Sequence, residues 1–392
     1  MKISQRAQAV SPFFAMETGK LAADLESRGQ RIIKLNIGEP DTGAPPAVLA
    51  AMREWMDGRP IPYTAALGTR ELRQAIAGFY RTMHGADIAP ERVVVTAGAS
   101  AALLLLTAAL VDPGDEVIVG DPSYPCNRQF LSSFGADIRR VPTTAASRYQ
   151  LDAASVEAHW SPRTRGVMLA TPSNPTGTSI APTELDAICA LARARNAWCL
   201  VDEIYLNLQA DDAQGRRPQT ALAGNPDACV INSFSKYFGM TGWRLGWCVL
   251  PEALVPVIER LAQNYYICPP TTAQIAALSC FTAASLAVCE QRRAGFAQRR
   301  AFVTAGLADI GLPVDVAPDG AFYAWFDVSH TGLDAWTFCQ RALREAGVAL
   351  TPGRDFSVLD PERHVRLSCA ASMEDLVEGL ERLGRFVTGL RG

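Results

Sequence analysis

The chain has 392 residues, 48% of them apolar, and a formal net charge of −3. That length exceeds one simple core and points to about two domains. The charges are spread throughout, so no electrostatic case exists for nucleic acid or an anionic membrane, and small-molecule partners are favoured. The N-terminus, MKISQRAQAVSPFF, lacks the apolar run of a secretory signal. The most apolar stretch, AALLLLTAALV at 101–111, is about half the length a bilayer requires. A soluble, cytoplasmic protein with no membrane partner is expected. Ten cysteines are scattered without a CxxC pair and read as buried free thiols. His84, His159, His330 and His364 show no HxxxH spacing, so no metal site is expected.

In chain order, apolar positions at helical spacing over 12–28 end at Gly29, and RIIKLNIG then reads as a strand. After the turn IGEPD (37–41) come two helices, Pro45 to Met56 and Thr69 to Met83, the second with Thr69 as N-cap. Between them lies a Pro-flanked loop holding Tyr63. From residue 92 short apolar runs alternate with helical segments: VVVTA (93–97), EVIVG (116–120), GVMLA (166–170), CLVDE (199–203), CVINS (229–233) and LGWCVL (245–250). Continuous apolar strands between amphipathic helices predict an α/β domain with a mainly parallel sheet covered on both faces. Helices are expected over Ser100 to Leu110 and over Thr183 to Arg195, the latter with a capping-type Pro-Thr-Glu start. A long helical region runs from 271 through Leu307, followed by strand 320–328, helix 334–346, strand 364–370 and helix 373–390. This last part suggests a smaller α+β domain joined by the N-terminal segment. The expected division is a large domain at 45–280 and a small one formed by 1–44 and 281–392.

Lysine is nearly excluded from this sequence. Of 37 basic residues only Lys2, Lys20, Lys34 and Lys236 are lysines. Arginine serves a solvated surface equally well, but its guanidinium stays protonated and cannot form a Schiff base with an aldehyde. Lys236, alone after position 34, therefore points to chemistry. It lies in NSFSKYFGMTGWRLG (232–246), where Ser233, Ser235 and Arg244 can offer two hydroxyls and a guanidinium to one anion.

In doubly wound sheets ligands bind outside the carboxyl ends of the strands. There VVVTA leads into Gly98-Ala99-Ser100, a small-residue turn opening a helix whose N–H groups suit a phosphate. GVMLA leads to Asn174, CLVDE ends in Asp202 with Tyr205 three residues on, and CVINS leads to Ser233, Ser235 and Lys236. The set suits carbanion formation beside an amino group, the chemistry of pyridoxal 5′-phosphate, whose ring is the better electron sink when its nitrogen is protonated. A buried Asp202 can keep that proton in place, and Asn174 and Tyr205 can donate to the ring oxygen. Tyr124, in DPSYP, is placed to stack on the ring or to pack in the core.

IGEPD, YTAALGTRELR, GAS before a helix, SNPTG, DEIY, SFSKYFGMTGWRLG, GAFY and VRLS occur in this order over nearly the whole chain. In these motifs the sequence resembles the fold-type I, class I/II aminotransferases that use pyridoxal phosphate. The resemblance implies Lys236 as the Schiff-base lysine, Asp202 as partner of the pyridine nitrogen, and Asn174 and Tyr205 as partners of the ring oxygen. It further implies that Ser233, Ser235, Arg244 and the backbone of Ala99 and Ser100 hold the phosphate. Arg366, helped by the backbone of Gly38, would grip the substrate carboxylate. It implies a homodimer in which Tyr63 reaches the neighbouring subunit's phosphate.

The expected activity is a ping-pong transfer of an amino group from an L-amino acid to a 2-oxo acid. Lys236 would hold the cofactor as a Schiff base and, once displaced, move the Cα proton. A C–S β-lyase uses the same groups and is the alternative. A non-catalytic cofactor-binding regulator is a more distant one, and the short N-terminal segment leaves no room for a helix-turn-helix module. No motif places a second cation for a dicarboxylate side chain, and both QNYYICPPTTAQ (263–274) and SPFFAMETG (11–19) are apolar or neutral. These features favour a neutral or aromatic donor.

Overall fold

The computed structural model describes residues 1–390. After a short strand β1 (Ile33–Lys34), the main sheet is built from β2 (Val93–Thr96), β3 (Glu116–Asp121), β4 (Asp137–Pro142), β5 (Thr164–Ala170), β6 (Trp198–Asp202), β7 (Cys229–Ser233) and β8 (Gly246–Val249). Their order is β2-β8-β7-β6-β5-β3-β4. Only β8 runs antiparallel to its neighbours, pairing with β2 and β7 in that sense. The apolar runs form strands because helices cover both faces: Val94, Ile118, Val167, Val201, Val230 and Ile231 are all buried.

The second sheet is antiparallel and small. It comprises β9 (Tyr323–Asp327), β11 (Thr351–Pro352) and β12 (His364–Ser368), while β10 (Val348–Ala349) pairs with β1. The first five helices are α1 (Gln5–Ala9), α2 (Phe14–Ser27), α3 (Pro46–Trp55), α4 (Arg70–His84) and α5 (Ala99–Leu110). Thr69 caps α4 by accepting the Leu72 N–H, as its position predicts. Among the described residues no single helix is long and apolar enough to cross a membrane.

Several elements differ from the sequence expectation. β4 lies outside the expected strands, because Asp137, Arg139 and Arg140 break up its apolar pattern; it is one of the sheet's two edge strands, where charge is tolerated. RIIKLNIG contributes only two residues of strand. The Pro-Thr-Glu start of helix Pro182–Ala194 is no capping box: Ala181 precedes it without a side-chain cap, and Glu184 accepts the Ala153 N–H at 3.0 Å instead. The helical region after 271 breaks at Leu278–Phe281 and bends by 83° before helix Ala283–Asp309. All ten cysteines are free, but Cys126 and Cys268 are only half-buried.

Candidate active site

The segment carrying Lys236 reverses the chain between β7 and β8, and its neck is closed by the Phe234 N–H bonding to the Leu245 carbonyl at 3.1 Å. Below it Phe234 packs on Trp247 and Phe238, with ring centroids 4.8 and 5.3 Å apart. Ser233 donates its hydroxyl to the Leu245 carbonyl at 3.3 Å and accepts the Ser235 N–H at 3.0 Å, so it organises the turn. A rigid apolar base thus presents Ser235, Lys236 and Arg244 to a cavity of about 240 Å³ at the carboxyl ends of the strands.

Gly38, Ala99, Ser100, Tyr124, Asn174, Asp202, Tyr205, Ser233, Ser235, Lys236, Arg244 and Arg366 all line this cavity. Tyr63 does not: it is 77% exposed and borders no part of the cavity of its own chain. The segment 263–274 is also absent from the wall; Thr271 and Gln274 instead brace the Tyr63 loop through Pro62 and Thr64. Phe13, Ala15 and Met16 of the N-terminal segment do border it. Asn36 and Tyr323 are lining residues that the motifs did not single out, although Tyr323 closes GAFY and Asn36 immediately precedes Ile37-Gly38.

The Lys236 ammonium donates to the Gly38 carbonyl at 2.7 Å. Burial pulls its pKa down from 10.5 to about 8, against the opposing charge of Glu39, while Arg366 and Arg244 add to the fall. Asp202 stands at the end of the adjacent strand β6, 5% exposed, with one oxygen accepting the Ile204 N–H at 3.1 Å. Burial lifts its carboxyl to about 6, partly offset by that hydrogen bond and by Lys236. A cation placed beside Asp202 would be needed to bring it back to the ordinary carboxylate range.

Arg366 is 2% exposed. It donates through Nη1 to Asn174 Oδ1 at 2.8 Å and through Nη2 to the Asn36 carbonyl at 2.6 Å, while its Nε has no partner among the described residues. Because Oδ1 of Asn174 accepts from Arg366, its amide nitrogen is left as the donor. The N–H groups of Ala99 and Ser100 open α5 with no protein acceptor among the described residues. Gly98 there has φ +83°, and a Cβ on it would stand 2.6 Å from Arg244 Nη2, so only glycine admits the guanidinium this close to the helix start. Free N–H groups, the Ser235 hydroxyl and Arg244 make a cradle for a dianion. An enclosed amine, a raised carboxyl wanting a cation and this cradle fit pyridoxal phosphate.

The family described as aminotransferase class I and II matches residues 30–383. A valine–pyruvate aminotransferase of Mycobacterium tuberculosis is 39% identical over 380 residues, covering 96% of this chain and 97% of its own. An aspartate/prephenate aminotransferase of Thermus thermophilus is 33% identical, with 98% of each chain covered. The crystal structure of an aminotransferase from M. tuberculosis superposes with a TM-score of 0.94 at 38% identity, over 99% of this chain and 100% of that one.

Proposed function

Since the chain belongs to the class I and II aminotransferases, which use pyridoxal phosphate, we propose that it moves the amino group of a neutral L-amino acid to a neutral 2-oxo acid by a ping-pong route. The observation that carries the substrate class is the inventory of cations on the cavity wall: Lys236, Arg244 and Arg366. One holds the cofactor, one its phosphate and one the substrate α-carboxylate, so among the described residues of this chain the wall offers no further cation for a second carboxylate. The rest of the wall includes Phe13, Met16, Ile37 and Leu103, which suit an apolar side chain. The valine–pyruvate relative supports an aliphatic donor and a small acceptor; the aspartate/prephenate relative shows how far specificity ranges among similar chains.

Pyridoxal phosphate, when bound, supplies the sink for negative charge at the amino acid's Cα and carries the amino group between half-reactions. In this reading Ser235, Arg244 and the N–H groups of Ala99 and Ser100 hold the phosphate, and the Ser233 hydroxyl joins them by turning from the Leu245 carbonyl. Asp202 faces the ring nitrogen, Asn174 and Tyr205 donate to the ring oxygen, and Tyr124 stacks on the ring. Arg366 and the backbone of Gly38 orient the substrate carboxylate. Lys236 Nζ holds the cofactor, then removes and returns the Cα proton; its lowered pKa supports a neutral amine near pH 8.

The reading includes a homodimer with Tyr63 completing the partner's phosphate site. Exposed Leu49, Met56, Ile61, Tyr63, Tyr265, Ile267 and Leu278 support it. Most lie on connected parts: α3 packs against 271–281, and Thr271 bonds Pro62. The division into 45–280 and the remainder is supported by the seven-stranded sheet falling wholly in the former and the three-stranded sheet in the latter. Ten free cysteines support a cytoplasmic location.

The test is an absorption spectrum of the holoenzyme before and after single L-amino acids without oxo acid. Valine, phenylalanine or methionine should convert the cofactor to its amine form. Faster conversion by aspartate would overturn the neutral-donor reading, and ammonia with pyruvate accumulating from a cysteine-derived substrate would favour β-elimination.

A further inference from the structure

Two phenols meet at the cavity wall. The hydroxyl oxygens of Tyr205 and Tyr323 are 2.6 Å apart, a length typical of a strong O–H···O bond. The side chains are 3% and 1% exposed, and both line the cavity. Each phenol has one hydrogen to give. Only one of the two hydrogens lies between the oxygens, so the direction of this bond decides where the other points. If Tyr205 donates to Tyr323, nothing is left for Tyr205 to give to a ligand. If Tyr323 donates to Tyr205, the Tyr205 hydrogen is free to point into the cavity.

The surroundings favour the second state. The guanidinium carbon of Arg366 lies 4.4 Å from the centroid of the Tyr323 ring, where a positive charge polarises the phenol and makes it the better donor. Burial raises the Tyr323 phenol, and Arg366 is the first influence working against that rise. For Tyr205 burial dominates, Tyr323 adds to it, and Arg366 ranks behind both. The Tyr323 hydroxyl is also fixed in place. It packs on Gly38 so closely that a Cβ there would stand 1.8 Å from its oxygen, and the Gly38 carbonyl is already taken by Lys236 at 2.7 Å. Tyr205 is the only protein hydrogen-bond partner of the Tyr323 hydroxyl among the described residues.

We infer that Tyr323 is a positioning residue for the amino-group transfer: its hydroxyl donates to Tyr205 and thereby directs the single Tyr205 hydrogen to the ring oxygen of the bound cofactor. The inference rests on the assignment of Tyr205 proposed above. Gly38 thereby has a reason to be glycine, since any side chain there would displace the relay. Two donors in series polarise each other, strengthening each bond by roughly 10–30%. The relay also joins the substrate-carboxylate group, Arg366, to the cofactor oxygen through one aromatic ring and two hydroxyls.

The experiment titrates the visible absorption band of the cofactor in the holoenzyme against pH, in wild type, Tyr205→Phe, Tyr323→Phe and the double variant. A hydrogen bond to the ring oxygen stabilises the more negative, unprotonated form, so weakening it moves the midpoint up. Tyr205→Phe should give the largest rise, and Tyr323→Phe a smaller one, on the order of half a pH unit. The double variant should match Tyr205→Phe alone, because without Tyr205 there is nothing for Tyr323 to direct. Gly38→Ala, which pushes the Tyr323 hydroxyl aside while keeping it, should shift the midpoint as Tyr323→Phe does; it serves if Tyr323→Phe fails to hold cofactor. An unchanged midpoint in Tyr323→Phe beside a shifted Tyr205→Phe would overturn the relay alone, as would shifts that simply add. An unchanged midpoint in Tyr205→Phe would remove the Tyr205 assignment and the relay with it.

Discussion

The carboxylate of Asp355 accepts the backbone N–H groups of Phe14 and Ala15, at 2.7 and 2.8 Å, and so caps helix α2 from 341 and 340 residues away. Phe13, at the N-cap position, makes no side-chain cap of its own. The capped segment is the one that brings Phe13, Ala15 and Met16 to the cavity, and Asn36 ties it from the other side by donating to the Ala15 carbonyl at 2.9 Å. Asp355→Ala would leave two orphaned N–H groups, a loss of about 2 kcal/mol or more. The expected outcome is a lowered melting temperature together with a severalfold rise in KM for the amino donor and a smaller change in kcat. Steady-state kinetics over a series of donors checks it; a KM unchanged for all of them would show that the segment does not shape the substrate site.

Lys236→Ala should abolish transamination, at least 1,000-fold on the order expected for loss of a nucleophile and general base, while the phosphate cradle still retains cofactor. The pH dependence is sharper. An amine must be unprotonated to attack a carbonyl, and burial lowers the Lys236 pKa from 10.5 to about 8. Uptake of pyridoxal phosphate by the apoenzyme should therefore accelerate with pH up to about 8 and then level off. A rate still climbing steadily toward pH 10 would mark an ordinary solvated lysine.

Much of this site was legible because strand ends are conspicuous. Val201 to Asp202 and Ile231 to Ser233 are places where an apolar run stops at a polar residue, and a parallel sheet gathers such stops on one edge. Asn174 and Arg366, 192 residues apart and bonded at 2.8 Å, reach the same place from different sheets, and motif order implied their proximity where periodicity could not. Tyr323 stayed hidden inside an apolar strand; what aims its hydroxyl at Tyr205 is set by tertiary packing, next to a left-handed Ala321 (φ 53°). Asp355 has no local signature, since its partners are backbone groups at the other end of the chain. The helices Pro125–Ser133 and Val255–Tyr265 lie outside the sequence expectation, and neither has a side-chain cap at its start.

Arg366→Lys tests the carboxylate site. The guanidinium already serves Asn174 Oδ1 and the Asn36 carbonyl and still has an unpartnered Nε. A lysine ammonium has three hydrogens, points in one direction and lacks the planar fork. KM for every amino donor should rise roughly 10- to 100-fold, the loss of a bidentate charge-assisted contact, with kcat falling less. Because Asn174 loses the bond that fixes its amide, the cofactor's absorption should shift as well. Unaltered donor affinity would exclude Arg366 from carboxylate binding.

Glu203 follows Asp202 and is 0% exposed, its carboxylate accepting the Ala221 N–H at 2.6 Å and the Thr220 hydroxyl at 2.8 Å. Burial raises its pKa from 4.5 to about 7, against those two hydrogen bonds and with help from Asp202. The sign follows from proton linkage. Between pH 4.5 and 7 the unfolded chain has released this proton while the native state still holds it, so the native state loses its advantage as pH rises. The loss is complete above about pH 7 and amounts to roughly 3 kcal/mol at most. Glu203→Gln keeps an acceptor for Ala221 and cannot ionise. Its melting temperature relative to wild type should therefore improve on going from pH 5 to pH 8 in the apoenzyme. A gap that stays constant, or moves the other way, would mean that Glu203 is ionised throughout and held by a counter-charge rather than kept neutral by burial.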